Sequence, residues 1–414
     1  MKLNYKRTFF IGLAFLSISA FWQLYDTIIP LILKNNFFIR DSLIGVIMAL
    51  DNILALFLLP FFGMLSDRTK SPLGKRTPYI LIGTLVSVIF MMIIPNAAYN
   101  GNFTLFFVSL GIVLLAMSFY RSPTVALMPD LTQKPLRSKA NSVINLMGAL
   151  GGVLTLIYIS VLTPSNENPN YFIVFLAVAL TMIISVTVLL VTIRENKLIK
   201  EIEVSENELL EEDYEKPASN DELGKDVKKS LYLILASIFL WFMAYNAVTT
   251  AFSRYANVVW GMQGGSFANA LLVATIAAVL SFIPVGFIST KYGRKKIIMI
   301  GIVLMGSSFA LAFFFVEFSP IINIIFALTG IGWASINVNS YPMVVEMSKT
   351  TDIGKYTGLY YTFSMSAQIL TPILSGILID NLSYRILFPY AVVFSLLSLL
   401  TMSKVKHGDS RIIA

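Results

Sequence analysis

The chain has no cysteine and one histidine, His407, close to its C-terminus. Disulfides, thiolate metal sites and thiol nucleophiles are therefore excluded. A single imidazole in the tail also leaves nothing for a Ser-His triad or a histidine-based metal cluster. No G-x-x-x-x-G-K-[ST] loop occurs, which removes a nucleotide-driven pump of that type. No nucleophile–base pair stands out, so the reading is not an enzyme, with no cofactor and no metal. Charge is scarce as well: 13% of 414 residues are charged and 56% are hydrophobic, with a mean hydropathy of +0.76. A soluble domain could not bury that much apolar surface.

What is present is a series of long apolar runs. Twelve can be drawn, at 8–33, 41–65, 78–95, 103–127, 140–162, 171–193, 230–252, 267–290, 297–316, 320–344, 354–378 and 386–403. About 20 apolar residues cross the hydrocarbon as a helix, and helices or closed barrels alone satisfy the backbone there. Barrel strands would alternate over about 10 residues; these runs are continuous. The fold class expected is an all-α integral membrane protein with twelve transmembrane helices. The first run is too long for a signal peptide and is interrupted by Gln23 and Asp26, so it is read as a retained span.

The net charge of +8 follows topology. With both termini placed in the cytoplasm, 26 Lys and Arg fall on the inner side and four, Lys34, Arg40, Arg254 and Arg385, on the outer side. This asymmetry is the positive-inside pattern. It predicts a multi-pass protein of the cell membrane with cytoplasmic termini, whose surroundings are lipid and not nucleic acid.

The expected domains are a six-helix bundle over 1–193, a charged cytoplasmic linker over 194–229, and a second bundle with a short tail over 230–414. The linker holds 12 acidic and 7 basic residues and reads as solvated. The halves look like repeats. Gly63-Met-Leu-Ser-Asp67-Arg68 with Gly74-Lys75-Arg76 follows span 2, and Gly286-Phe-Ile-Ser-Thr290-Lys291 with Gly293-Arg294 follows span 8. Span 4 ends at Pro123 and Asp130, span 10 at Pro342 and Glu346. Paired bundles of this kind are a transporter architecture.

The G-x-x-x-D-R motif after span 2 resembles the signature loop of the major facilitator superfamily. Its longer form, Ser66-Asp67-Arg68 through Gly74-Lys75-Arg76-Thr77-Pro78-Tyr79, resembles the glycoside–pentoside–hexuronide:cation symporters and the neighbouring sucrose-transporter-like branch. Ser122-Pro123 through Asp130-Leu131, then Arg137 through Asn141, resembles the span 4–5 junction of the same branch. Two departures stand out. The basic residue that the sucrose-transporter pattern places before Ala126-Leu127 is Val125 here, with Arg121 one turn earlier. No carboxylate lies midway along span 4, as in the plant proteins. The resemblance implies a cytoplasmic gate from Gly63, Asp67, Arg68, Gly74, Arg76 and Asp130, with Lys291, Arg294 and Glu346 in the second half.

Charges inside spans are costly and usually functional. Asp26 on span 1, Asp51 on span 2 and Arg121 on span 4 are the candidates for cation coupling, to H+ or Na+. By residue count both acids lie in the outer half of their spans and Arg121 in the inner half. Aromatic faces stack on sugar C–H faces, and amides bind hydroxyls. The substrate-binding candidates are accordingly Trp22, Gln23, Tyr25, Asn52, Tyr245, Asn246, Asn337, Asn339, Tyr360, Tyr361 and Gln368, with Trp241 and Trp333 beside them. Trp260 reads as an interface anchor in an outer loop, and the 17 methionines as lipid-facing filler. Gly148 and Gly152 form a G-x-x-x-G in span 5, expected to pack inside the monomer.

The expected function is cation-coupled symport of a small polar solute, a glycoside or disaccharide, by alternating access. The alternative reading on the same fold is a proton-driven exporter of amphipathic compounds or lipids, which would have a more apolar pocket with fewer amides.

Overall fold

The computed structural model describes residues 3–133, 136–165, 169–201, 225–347 and 353–408. Its long helices are α1 (Tyr5–Asn35), α2 (Asp41–Arg68), α3 (Thr77–Tyr99), α4 (Phe103–Asp130), α5 (Arg137–Leu162) and α6 (Phe172–Thr192). There follow α7 (Lys225–Val258), α8 (Ala268–Tyr292), α9 (Arg294–Phe313), α10 (Ile321–Val345), α11 (Ile353–Asn381) and α12 (Leu387–Ser403). Twelve of the described helices are long and apolar enough to cross a membrane. Their apolar residues run around the whole circumference, as expected where one side meets neighbouring helices and the other lipid.

Several helix boundaries lie beyond the apolar runs, because polar residues continue or cap a helix without adding hydropathy. Asn4 and Asn102 accept from the amides of Arg7 and Leu105, both at 3.0 Å, and so cap α1 and α4. Helix α7 extends to Val258, and Arg254, expected in an outer loop, is helical and buried. Trp260 is also buried, and its Nε1 donates to the Phe315 carbonyl at 3.0 Å, so it is packed and not a lipid-facing anchor. Of the methionines, Met91, Met117, Met182, Met305, Met343 and Met402 are wholly buried. An unbranched thioether fills irregular gaps between helices, which overrides the filler reading for these six.

The chain forms two compact units. The first takes the chain up to Phe38, the stretch from Asp51 into the linker, and Gly264–Ser266; the second takes Ile39–Leu50 and the remainder. Each unit thus contains a short piece of the other half of the sequence. Within the first, α1 packs on α5 and α6, and α3 on α4 and α6. Within the second, α7 packs on α11 and α12, and α9 on α10 and α12. The same neighbour pattern in both is the internal repeat in three dimensions.

Small residues set the closest approaches. A Cβ on Gly151 of α5 would lie 2.2 Å from the Leu16 carbonyl oxygen of α1. The G-x-x-x-G segment therefore packs inside its own unit. In the second unit Gly301 and Gly332 face each other's backbone across α9 and α10. The two basic hairpins also match: Gly74 and Gly293 both have positive φ, +117° and +93°, a conformation that an L side chain resists.

Candidate functional site

The linker was expected to be solvated from residue 194 onward, yet Glu195 is buried, at 1% exposure. Its carboxylate accepts from the amides of Lys75 and Arg76 at 2.9 Å, from the Thr77 amide at 2.9 Å and from the Thr77 hydroxyl at 2.7 Å. It caps the start of α3, where donors are otherwise unmet and negative charge is favoured. Residues 202–224 lie outside the described residues.

Arg76 is the hub of the signature loop. Its side chain is 5% exposed, and Nε donates to Asp130 Oδ2 at 2.8 Å. Its other nitrogens reach Asp67, Ser66 Oγ and the Gly63 carbonyl. Lys75 Nζ adds a second cation to Asp130 at 3.1 Å. Gly63, Asp67, Arg76 and Asp130 are thus brought together, whereas Gly74 lies against Glu195 and Arg68 is exposed and outside this network among the described residues. In the second unit Arg294 pairs with Glu346, the repeat's counterpart of Arg76–Asp130. Lys291 lies over the Tyr292 ring at 5.4 Å and joins no acid among the described residues.

Deeper in the first unit, α1, α2 and α4 gather the three candidate coupling residues. Asp51 is buried and accepts from Asn52 Nδ2 at 2.8 Å. Asp26 is half-buried, and the charges of Asp51 and Arg121 both act on it. Arg121 also acts on Asp51, and its guanidinium lies over the Trp22 ring at 5.5 Å. Residue counting placed Arg121 deeper than either acid; the packed helices bring all three charges within mutual reach. Tyr25 is buried and meets Trp22 edge-on at 5.5 Å. Gln23 donates to Thr27 at 2.9 Å, and its Oε1 lies near Gly152. Trp22 Nε1 is buried with no hydrogen-bond partner among the described residues.

The second unit supplies an aromatic platform. Tyr245 and Trp333 stack in parallel, centroids 3.8 Å apart and 5° between planes, and Phe242 meets Trp333 edge-on. Asn246 Nδ2 and Trp241 Nε1 are buried without partners among the described residues. Asn337, on the same helix as Trp333, is half-buried. Other candidates are engaged within their own helices: Asn339 donates to the Ser335 carbonyl at 2.8 Å and Gln368 to that of Ser364 at 3.3 Å. Tyr360 is buried, with its hydroxyl 3.3 Å from Ser340 Oγ, while Tyr361 is 55% exposed.

One charged cluster was not foreseen. Asp41, at the first turn of α2, is 1% exposed and pairs with Arg254 Nη1 at 3.1 Å. The Tyr384 hydroxyl donates to it, 2.7 Å from either carboxylate oxygen. Asp380 accepts from the amides of Asp41 and Ser42 at 2.9 and 2.8 Å and caps α2. Gly45 and Gly376 let α2 and α11 touch through backbone, at Pro372 and Asp41. Only the position of Asp41 at an apolar run's edge hinted at this, and topology charges occur there too.

The comparisons agree with this architecture. The chain matches the family described as "MFS/sugar transport protein" over residues 10–385. It is 28% identical over 152 residues to the lactose permease of Lactobacillus helveticus, covering 33% of this chain and 23% of the permease. It is 30% identical over 114 residues to the sucrose transport protein SUC3 of Arabidopsis thaliana, covering 23% of this chain and 19% of that protein. The chain thus spans about a quarter or less of these curated relatives. Among solved structures, the xylose transporter XylE from E. coli superposes with a TM-score of 0.68 at 13% identity, covering 99% of this chain and 97% of that one. Twelve membrane-capable helices, the doubled bundle and the match over nearly its whole length make this chain a multi-pass membrane protein of the MFS/sugar transport protein family.

Proposed function

We propose that this protein carries a glycoside or disaccharide across the cell membrane together with one monovalent cation. The observation that carries the proposal is the cluster of Asp26, Asp51 and Arg121 in an apolar interior. Two carboxylates against one guanidinium leave one negative charge, and leaving it unmatched among apolar helices is costly. A proton or a sodium ion would cancel it, so loading the cation and closing around the solute become linked. The Tyr245–Trp333 stack is suited to a sugar ring, and the Asn246 and Trp241 donors, which have no partner among the described residues, to its hydroxyls. The relatives named for lactose and sucrose favour the same substrate class. Arg76–Asp130–Asp67 and Arg294–Glu346 act as the inner gate, and both termini are cytoplasmic. The test is uptake of a radiolabelled mono- and disaccharide panel into proteoliposomes under imposed pH or sodium gradients. Accumulation of a glycoside under one gradient is expected; no gradient-driven uptake of any sugar would overturn the reading.

A further inference from the structure

A cavity of about 500 Å³ opens in the first unit where the start of α1 meets the residues after α6. Lys6, Arg7 and Phe10 line it from α1; Ile193, Arg194 and Lys197 line it from the other side. Four cations from two separate segments therefore converge on one hollow, whose remaining wall is shared between polar Asn4, Thr192 and Glu201 and apolar Phe10, Ile193 and Leu198. Among the described residues one acid lines it, Glu201, which lies 3.9 Å from Lys197 on the same helical turn. Glu195, the first acid after α6, does not neutralise it, because its carboxylate is taken up by the donors at the start of α3. The second unit repeats the charge but not the hollow. Lys225, Lys228 and Lys229 cluster beside Tyr232 at the start of α7, all on that one exposed helix. Helices α1 and α7 open the two repeats, so each repeat begins with clustered cations, and in the first they face a second segment.

We propose that the hollow at α1 binds the headgroup phosphate of an anionic phospholipid of the inner leaflet. Ordinary topology charges would be satisfied by being spread over the surface. Convergence on one concave site with Phe10 and Ile193 in its wall fits a ligand that joins a phosphate to apolar chains. Basic pockets beside membrane helices on the cytoplasmic side take such headgroups. A free phosphate would use the cations but leave the apolar wall without purpose. Bound lipid would tie the first turn of α1 to the segment that leads into the linker.

The experiment compares the parent protein with a Lys6→Gln, Arg7→Gln, Arg194→Gln, Lys197→Gln variant. Retention of phosphatidylglycerol and phosphatidylcholine is read by native mass spectrometry. The parent should hold phosphatidylglycerol selectively, and the variant should lose that selectivity by about tenfold or more, since each removed cation weakens the attraction. Equal retention by both proteins overturns the proposal. Photoactivatable phosphatidylglycerol applied to the parent gives a readout independent of the variant's folding. Labelled peptides spanning Lys6–Phe10 or Ile193–Lys197 support the site, and labels confined elsewhere overturn it. Competition by millimolar glycerol 3-phosphate or inorganic phosphate would assign the hollow to a soluble phosphate and overturn the lipid assignment.

Discussion

Arg254 and Asp41 form an ion pair, Nη1 to Oδ1 3.1 Å, with side chains only 4% and 1% exposed. The contact is an ion pair more than an aligned hydrogen bond, since Arg254 Nε and Nη1 meet no acceptor in good geometry among the described residues. Tyr384 completes the coordination of the carboxylate. A buried pair adds little net stability over an apolar replacement, but removing one member strands the other charge.

Arg254→Met should therefore destabilise the protein by about 3–5 kcal/mol. Tyr384→Phe, which keeps the ring and loses a hydrogen bond to a carboxylate, should cost about 1.5–3 kcal/mol. The Arg254→Met, Asp41→Leu double variant should recover much of the loss, because no charge is left stranded. Thermal unfolding in detergent reads all three, and an unshifted midpoint for Arg254→Met would show that the pair carries no energy.

Glu195→Ala removes a carboxylate that serves four donors. Hydrogen bonds to charged groups contribute about 1.5–3 kcal/mol each and are not additive. A loss of about 2–4 kcal/mol is expected, with Glu195→Gln intermediate because one acceptor remains. Gly74→Ala should also destabilise, since φ is +117° and the new Cβ would sit 2.2 Å from Glu195 Oε2. The two changes should add to less than their sum, as they damage one contact. Strict additivity in an unfolding cycle would argue that Glu195 and Gly74 act separately.

Around the signature loop, Asp67 is 58% exposed, whereas Asp130 is 22% exposed and holds two cations. An exposed bridge is worth under about 1 kcal/mol, so Asp130→Asn should slow transport more than Asp67→Asn. Equilibrium sugar binding should survive in both. Asp67 belongs to the motif that carries the resemblance, and a greater loss with Asp67→Asn than with Asp130→Asn would make it the principal acid of the gate instead.

Asp51→Asn should separate exchange from accumulation. The variant should still swap solute at equal concentrations across the membrane and fail to concentrate it. For sodium coupling, the same variant should lose sodium-dependent binding. Counterflow and gradient-driven uptake are measured side by side for Asp26→Asn and Asp51→Asn. Parental accumulation by both would make these acids structural.

The spans were legible because continuous hydropathy is a strong signal over about 20 residues. Their ends were not: α2 runs on to Arg68 and α7 begins at Lys225, since charged turns continue a helix without registering as apolar. Asp26, Asp51 and Arg121 stood out because charge inside an apolar run is rare. Glu195 did not, because it opens a segment rich in acids that all look alike until one is seen buried. Asp41 and Asp380 occupy helix ends, where charge is common, and their partner Arg254 sits where hydropathy ends before the helix does. Which amides and aromatics carry unsatisfied donors was likewise invisible, since an i to i−4 bond such as that of Asn339 depends on rotamer alone.

Glu195 also decides where the chain can be cut. Severing it at 193, the end of the apolar run, would leave the first fragment with three amides at the start of α3 and the Thr77 hydroxyl without their acceptor. Severing it after 201 keeps them satisfied, and keeps Asn196 on the Ser71 and Pro72 carbonyls at 3.0 Å. The seam along which two separately made fragments could reassemble is therefore displaced from the seam that hydropathy marks, and a two-piece transporter would be built on the later one.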